Sequence, residues 1–593
     1  MSRSIFAFLG LVSVLVGLTG CDPVPRRTLT TEEKLADLFW VYSQFGENYA
    51  PLEYKQKKFG FDYERLKAET NEAAKATTTN DEFYGVVFKF VANFQDAHTS
   101  AALTTSSLPN RAMVAYLGFS GARNGEVLLV KDRLPTIADT SNYPIAAGDA
   151  ILKIDGRDLR AAVTADLVPW RNLGSEEANF TYHANKLFTR LSTANGLPSA
   201  ENAVLTVKRG DRTFDVTLPW IKKDVYQFQA EQKKAKDEAT PKKASDAEEN
   251  FLMLADGNGG VAFKFRFIGF DGRIELPALN AETISRTLRK TVDAGFRFID
   301  SFATWELVGV GEDTPEKTPE QVVRDSRSVP DDAVFLKGAN VYPAYVARDE
   351  KGLFGMIVLD TFSPLETPTV TLDEFKATLA GFQTLGVERI MIDMINNGGG
   401  SLNLGFQLAQ ALSAERIALP GIQFRVSDSW LDQFETDSMQ AKSDTEREIS
   451  RRVLEDLRAA RARGDRLSSV MSAEVLAPFE IKTNDKLKTK FRIALLVNEM
   501  CASMCDIFSG MLQDAGLAKV VGTQTMGAGG NVVNYNQAPN SHFDVRQTES
   551  LILRKDGSYI ENVGVTPDVV VPVADYAGSK YKEVREAGLK ALE

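Results

Sequence analysis

Residues 491–514, FRIALLVNEMCASMCDIFSGMLQD, constrain the fold of this chain more than any other stretch. Ile493–Val497 is an apolar run of buried-strand length, and CASMCDIFSGMLQD continues with helical spacing, Ile507, Met511 and Leu512 falling on one side. Ser503 therefore stands where a strand turns into a helix. A hydroxyl at such a corner lies near the positive end of a helix and beside backbone N–H groups not yet used in helical bonds, the setting that stabilises an oxyanion in acyl transfer. Serine is also a favoured N-cap, so the corner alone leaves the capping and the nucleophilic roles both open.

Composition narrows the partners. A chain of 593 residues implies several domains, and a net charge of −11 without a basic tract argues against a nucleic-acid partner. The three cysteines, Cys21, Cys501 and Cys505, make no disulfide framework and no zinc-ligand spacing, so neither metal nor cofactor is expected. Histidine chemistry must choose among His98, His183 and His542.

Met1–Gly20 carries Arg3 and then an apolar segment, Ile5–Leu18, placed as a secretion signal and short for a membrane span. Leu18-Thr19-Gly20-Cys21 resembles the lipobox of bacterial lipoproteins. The resemblance implies a lipid on Cys21, with each buried methylene contributing about 0.8 kcal/mol to membrane anchoring. It also implies a periplasmic lipoprotein of the bacterial envelope, on either membrane; a conventional cleaved signal is the alternative.

The mature chain divides by pattern. A tether over 21–29 precedes a helical region, 30–105, opened by Thr30-Thr31-Glu32-Glu33 and closed by the polar break Gln95-Asp96-Ala97-His98-Thr99. Short strands dominate 106–225, where Pro144–Gly156 resembles the PDZ-domain segment "aGD.Il.idG"; His183 follows in a helical stretch and reads as structural. Residues 226–350 begin with a linker in which 11 of the 20 residues from Glu231 to Asn250 are charged, a composition that cannot bury a core. The part from 231 to 350 is expected to be a removable inhibitory or regulatory segment. From 351 to 575 strands and helices alternate as βαβ units, with a charged helical insertion over about 426–485 and a glycine turn at Asn396–Gly400. A C-terminal helix or tail occupies 576–593.

Four segments in order, IDMINNGGG, NEMCASMCDIFSGMLQD, KVVGTQTMGAGG and YIENVGVTPDVVV, resemble the motifs of the carboxy-terminal-processing and tricorn-type serine peptidases. Ala528 stands where family members with a Ser-Lys dyad carry lysine, which sets such a dyad aside and points to the branch of the chlamydial protease-like activity factor, with serine, histidine and glutamate. The fold implied is α/β and multi-domain: a helical N-terminal region, a PDZ-like β-rich module and a ClpP/crotonase-like peptidase core. Carried over, Ser503 is the nucleophile, His98 the general base and Glu561 the group orienting the imidazole. Met504 and the Gly398–Gly399 turn are the candidate oxyanion donors, while Asn498 and Asp514 support the fold. The chemistry is coherent, because a serine hydroxyl needs a base within reach and the base needs an acceptor to fix its tautomer.

The resemblance implies a lipid-anchored endopeptidase acting on polypeptides, with a homodimer left open. The alternative is a catalytically inactive lipoprotein that keeps the fold and binds peptides or proteins. Cys501 and Cys505 read as small buried side chains, a thiol nucleophile or redox control being the other reading; Lys519 is a more distant dyad candidate.

Overall fold

The computed structural model describes residues 27–593 except 104–111, 135–142, 226, 229–230, 232–251, 255–262, 266–317, 477–480, 488–489 and 573–578. The signal segment, Cys21 and most of the charged linker lie outside the described residues. Among those described, no helix is long and apolar enough to cross a membrane.

A seven-stranded sheet forms the centre, in the order Val334–Phe335, Ala344–Asp349, Gly352–Val358, Arg389–Asp393, Arg492–Val497, Ala518–Gly522 and Val569–Val570. The first three strands are antiparallel and the last five, counting Gly352–Val358 in both groups, run parallel. Arg389–Asp393 is buried at every position, as a parallel strand covered on both faces must be. The helices Pro368–Thr384 and Met504–Asp514 are crossovers between neighbouring parallel strands, and Ser579–Ala591 covers the sheet through Tyr581 and Val584. The sheet thus takes in two strands upstream of the expected boundary at 351. Their short runs are separated by polar turns, which masks their pairing in the sequence.

The N-terminal helices Thr31–Asn48, Leu52–Phe59, Tyr63–Lys75 and Asn80–Ala92 close on an aromatic cluster with Phe45 stacked on Phe94. Phe543 and Val545 complete that cluster, so the helical region is seated on the hairpin Val532–Tyr535/Asp544–Thr548 rather than standing apart. The strand Ser100–Ala102 joins the same hairpin, with Ser100 opposite Arg546. This pairing carries His98 from the N-terminal region to the core. Residues 113–224 form the β-rich module around a sheet that includes Phe119–Asn124, Val127–Arg133, Ala150–Ile154, Asn202–Arg209 and Arg212–Pro219. The insertion folds as two helices, Asp428–Gln440 and Asp444–Arg463, and Val453 and Leu457, four apart on the second, face the core.

Candidate active site

The parallel strands Arg389–Asp393 and Arg492–Val497 are neighbours, and the turns beyond their carboxyl ends meet. That end of an α/β sheet is where chain-end loops assemble sites. Ser503 closes the second turn with φ 57° and ψ −121°, a conformation that costs a non-glycine residue about 1–3 kcal/mol and is held by its surroundings. Its N–H donates to the Ala528 carbonyl at 2.9 Å and its carbonyl accepts from Ile507 at 3.0 Å. The hydroxyl makes no cap bond to the helix it precedes. Ser503 is also partly exposed in a turn whose neighbours Cys501, Ala502, Met504 and Cys505 are fully buried. The capping role is therefore not the one the serine plays.

The glycine turn packs directly on this corner. A Cβ at Gly399, which has φ 97°, would lie 2.6 Å from Ser503 Cβ and 2.8 Å from the Met504 nitrogen, so only glycine fits. Asn397 joins the turns through its carbonyl, which accepts from Ala502 N–H at 3.1 Å. Its Oδ1 accepts the Gly399 N–H at 2.8 Å. That donor is committed inside the turn.

Cys501 and Cys505 form a disulfide across a sequence separation of four, bracketing Ser503. This corrects the reading of two reduced, merely packed cysteines and removes a free thiol nucleophile. Spacing alone hid it, because positions 501 and 505 read as a turn and a helix face. The turn residue Ser503 swings the chain so that the two Cα atoms stand 5.3 Å apart.

The loop Thr525–Gly530 links the serine to Glu561. Its Ala528 carbonyl holds the Ser503 N–H, and the Gly529 N–H reaches Glu561 Oε2 at 3.3 Å. Gly527 and Ala528 donate their N–H groups to the two oxygens of Asp506, both at 3.0 Å. Burial pushes Asp506 up to about 7, against the pull of Thr525 and those N–H groups. Ala528 is fully buried, and Lys519 instead lies on the surface beside Asp568 at 3.3 Å, which sets aside both lysine positions considered for a dyad.

His98 is buried on the loop after the helix Asn80–Ala92. The preceding Ala97 belongs to the small apolar cluster that contains Ala502, Met526 and Ala528, so the histidine loop, the serine corner and the Ala528 loop are packed together. Asp96 fixes the backbone: its Oδ1 accepts from His98 N–H at 2.8 Å, and its Oδ2 accepts from Tyr49 at 2.8 Å and Thr548 at 3.0 Å. Arg171 donates to the carbonyls on both sides of the histidine, Thr99 and Ala97. Burial pushes the imidazole down to about 4, with Asp96 pulling it up and Arg546, Arg171 and Lys55 pushing it further down. A neutral imidazole at pH 7 is the form that accepts a proton.

Glu561 is buried against a cation that sequence reasoning missed. Lys55 Nζ lies 2.5 Å from Glu561 Oε1 and donates to the Gln95 carbonyl at 2.9 Å. Burial first and Asp96 second push Glu561 up to about 8, while Lys55 and the Gly529 N–H oppose them. Lys55 sits among Lys57 and Lys58 in a polar helix and nothing in its spacing marks it; Asp96, by contrast, adjoins His98 in the QDAHT break. His183 accompanies the site only indirectly, its Nε2 contacting the Arg171 carbonyl at 2.7 Å, and His542 is an exposed turn residue. Backbone strain gathers here: Gln95, Asn396, Ser503 and Asn562 all have positive φ.

Fold and motif comparison agree on the class of protein: residues 354–571 match the model of Peptidase family S41. The chain is a serine peptidase whose residues 354–571 form a domain of the S41, carboxy-terminal-processing type. An uncharacterised protein of Chlamydia muridarum is 22% identical over 583 residues, covering 93% of this chain and 90% of that one. A probable CtpA-like serine protease of Staphylococcus epidermidis is 23% identical over 277 residues, 44% of this chain and 45% of its own length. The solved structure of mature CPAF complexed with lactacystin shares the fold with a TM-score of 0.63 at 19% identity, covering 95% of this chain and 98% of that one.

Proposed function

We propose that this peptidase hydrolyses internal peptide bonds of polypeptides through an acyl-enzyme on Ser503, with His98 as base and then acid and Glu561 orienting His98. His98 takes the Ser503 proton as Oγ attacks the scissile carbonyl, and returns it to the leaving amine when the tetrahedral intermediate collapses. Water, deprotonated by the same imidazole, then attacks the acyl ester and releases Ser503. The oxyanion falls to the N–H of Met504 at the helix start and to that of Gly398. Gly399 serves by its close approach, since its own N–H is engaged.

One observation carries this reading. The Thr525–Gly530 loop is tied to Ser503 through Ala528 and to Glu561 through Gly529, and Ala528 shares a packed cluster with the residue preceding His98. The lipid anchor at Cys21, the envelope location and a peptide-presenting role for the PDZ-like module belong to the same proposal. Regulation by the charged linker is included too, without the strands Val334–Phe335 and Ala344–Asp349 that the central sheet takes from the expected segment 231–350; limited proteolysis that spares the charged linker while cutting elsewhere would speak against it.

The test uses protein comprising residues 22–593 and an unstructured polypeptide substrate. Cleavage by the parent, its loss in Ser503→Ala and in His98→Ala, and labelling of Ser503 by a fluorophosphonate are expected. Full activity in Ser503→Ala overturns the proposal, and peptide binding without cleavage or labelling favours the binding-lipoprotein alternative.

A further inference from the structure

We propose that Lys55 is a positioning residue of the hydrolytic site, favouring the carboxylate form of Glu561 and tying that residue to the loop that presents His98. The inference rests on the assignment of Glu561 above.

The geometry places a fully buried ammonium between two parts of the site. Lys55 Nζ meets Glu561 Oε1 at 2.5 Å and the Gln95 carbonyl at 2.9 Å, and Gln95 stands three residues before His98. Asn562, the residue after Glu561, reaches the same Gln95 carbonyl through Nδ2 at 2.8 Å. Gln95 itself is fixed at φ 50°, so its carbonyl is aimed rather than free to turn. Two segments distant in sequence are thus drawn onto one oxygen atom.

Charge explains why a lysine is needed. A carboxyl group removed from water prefers to be neutral, and a neighbouring carboxylate adds to that preference. Glu561 suffers both, through its burial and Asp96. The groups facing it are Lys55, Tyr54 and, more distantly, Lys58 from the Leu52–Phe59 helix, Tyr49 from the segment before it, Asp96 from the histidine loop and the Gly529 N–H from the Ala528 loop. Lys55 is the buried cation among them. Only an ionised Glu561 is purely an acceptor for an imidazole N–H and for the imidazolium that forms during attack.

The test is the pH dependence of kcat/KM and the rate of Ser503 labelling by a fluorophosphonate, in Lys55→Met, Glu561→Gln and the double variant. Lys55→Met is expected to lower kcat about tenfold or more with little change in KM, and to move the acid limb upward by about one pH unit. The double variant is expected to match Glu561→Gln in labelling rate, since no carboxylate remains to be held. Unchanged kcat and acid limb in Lys55→Met, or a further tenfold loss on adding Lys55→Met to Glu561→Gln, overturns the proposal. If Lys55→Met does not fold, the double variant, which buries no unpaired charge, decides by the same comparison. An active Glu561→Gln would instead overturn the triad assignment itself, so the two failures are distinct.

Discussion

Asn396 and Asn498 exchange hydrogen bonds across the two turns that make the site. Asn396 N–H donates to Asn498 Oδ1 at 2.8 Å, and Asn498 Nδ2 donates to Asn396 Oδ1 at 2.7 Å. Asn498 Oδ1 also accepts from Met500 N–H at 3.3 Å. The glycine turn and the serine corner are therefore one unit. Asn498→Ala strands the buried Met500 N–H, at a cost of about 1–3 kcal/mol for a buried group left unsatisfied, and unties the exposed Asn396. Expected are a lower melting temperature and at least a tenfold fall in kcat, measured by calorimetry and peptide hydrolysis. Asn498→Asp, isosteric but unable to donate to Asn396 Oδ1, is expected to be similarly impaired. Normal kcat in both variants would separate the clamp from catalysis.

Much of this unit is legible in the sequence because it is local. The apolar run before CASMC, the helical spacing after it and the triple glycine each announce their own geometry, and they fix the parallel strands Arg389–Asp393 and Arg492–Val497 as neighbours in kind. The Ser503 corner is legible as a place, although its freedom from capping is not, since a cap and a nucleophile share one sequence signature. What stays hidden is set by long-range packing. Lys55 meets Glu561 across 506 residues and sits in a helix whose composition reads as solvated. The disulfide depends on a backbone reversal at Ser503 that the sequence does not reveal. Of the strands upstream of 351, Ala344–Asp349 pairs with Gly352–Val358 and Val334–Phe335 pairs with Ala344–Asp349, neighbours their own short runs do not mark.

The Cys501–Cys505 bond staples the strained residue between its two sulfurs. Closing so short a loop is worth about 2 kcal/mol in chain entropy. Cys501→Ala/Cys505→Ala is expected to melt several degrees lower and to hydrolyse peptide more slowly, because Ser503 gains access to unstrained conformations. In the parent, both thiols are expected to resist alkylation until reductant is added, as read by intact mass. Alkylation of the folded, unreduced protein would show that the bond is not formed.

His183 supplies a stability signature apart from catalysis. Burial, then Lys186, pushes it down to about 3, although the contact with the Arg171 carbonyl opposes the shift. Its folded pKa lies below the unfolded value near 6.5, so between the two the unfolded chain binds the extra proton. Its contribution is full above about pH 6.5 and is lost as pH falls toward 3, at up to about 1.4 kcal/mol per pH unit. Urea unfolding between pH 7 and 4 is expected to show a shallower loss on acidification in His183→Asn than in the parent. Comparing the two slopes cancels the other titrating groups. Identical slopes would mean that His183 is solvated and titrates normally.

Glu499 connects the β-rich module to the serine corner. Four residues before Ser503, its Oε1 accepts from Thr181 at 2.5 Å and from Arg123 at 3.3 Å, and its Oε2 accepts from Thr523 at 2.9 Å. Arg123 lies on the strand Phe119–Asn124, pairs with Glu177 at 2.5 Å and covers the Phe180 ring at 4.6 Å. Removing Arg123 leaves a carboxylate buried with only hydroxyl partners, and breaking a buried pair from one side costs about 3–5 kcal/mol. Arg123→Ala is therefore expected to lower both stability and kcat. Arg123→Ala/Glu499→Gln is expected to recover part of each, since the penalty lies in the stranded charge rather than in the lost contact. A double variant no better than Arg123→Ala would place the effect in the Arg123 stack on Phe180 instead. Recovery of stability without recovery of kcat would show that the pair also transmits the module's position to Ser503.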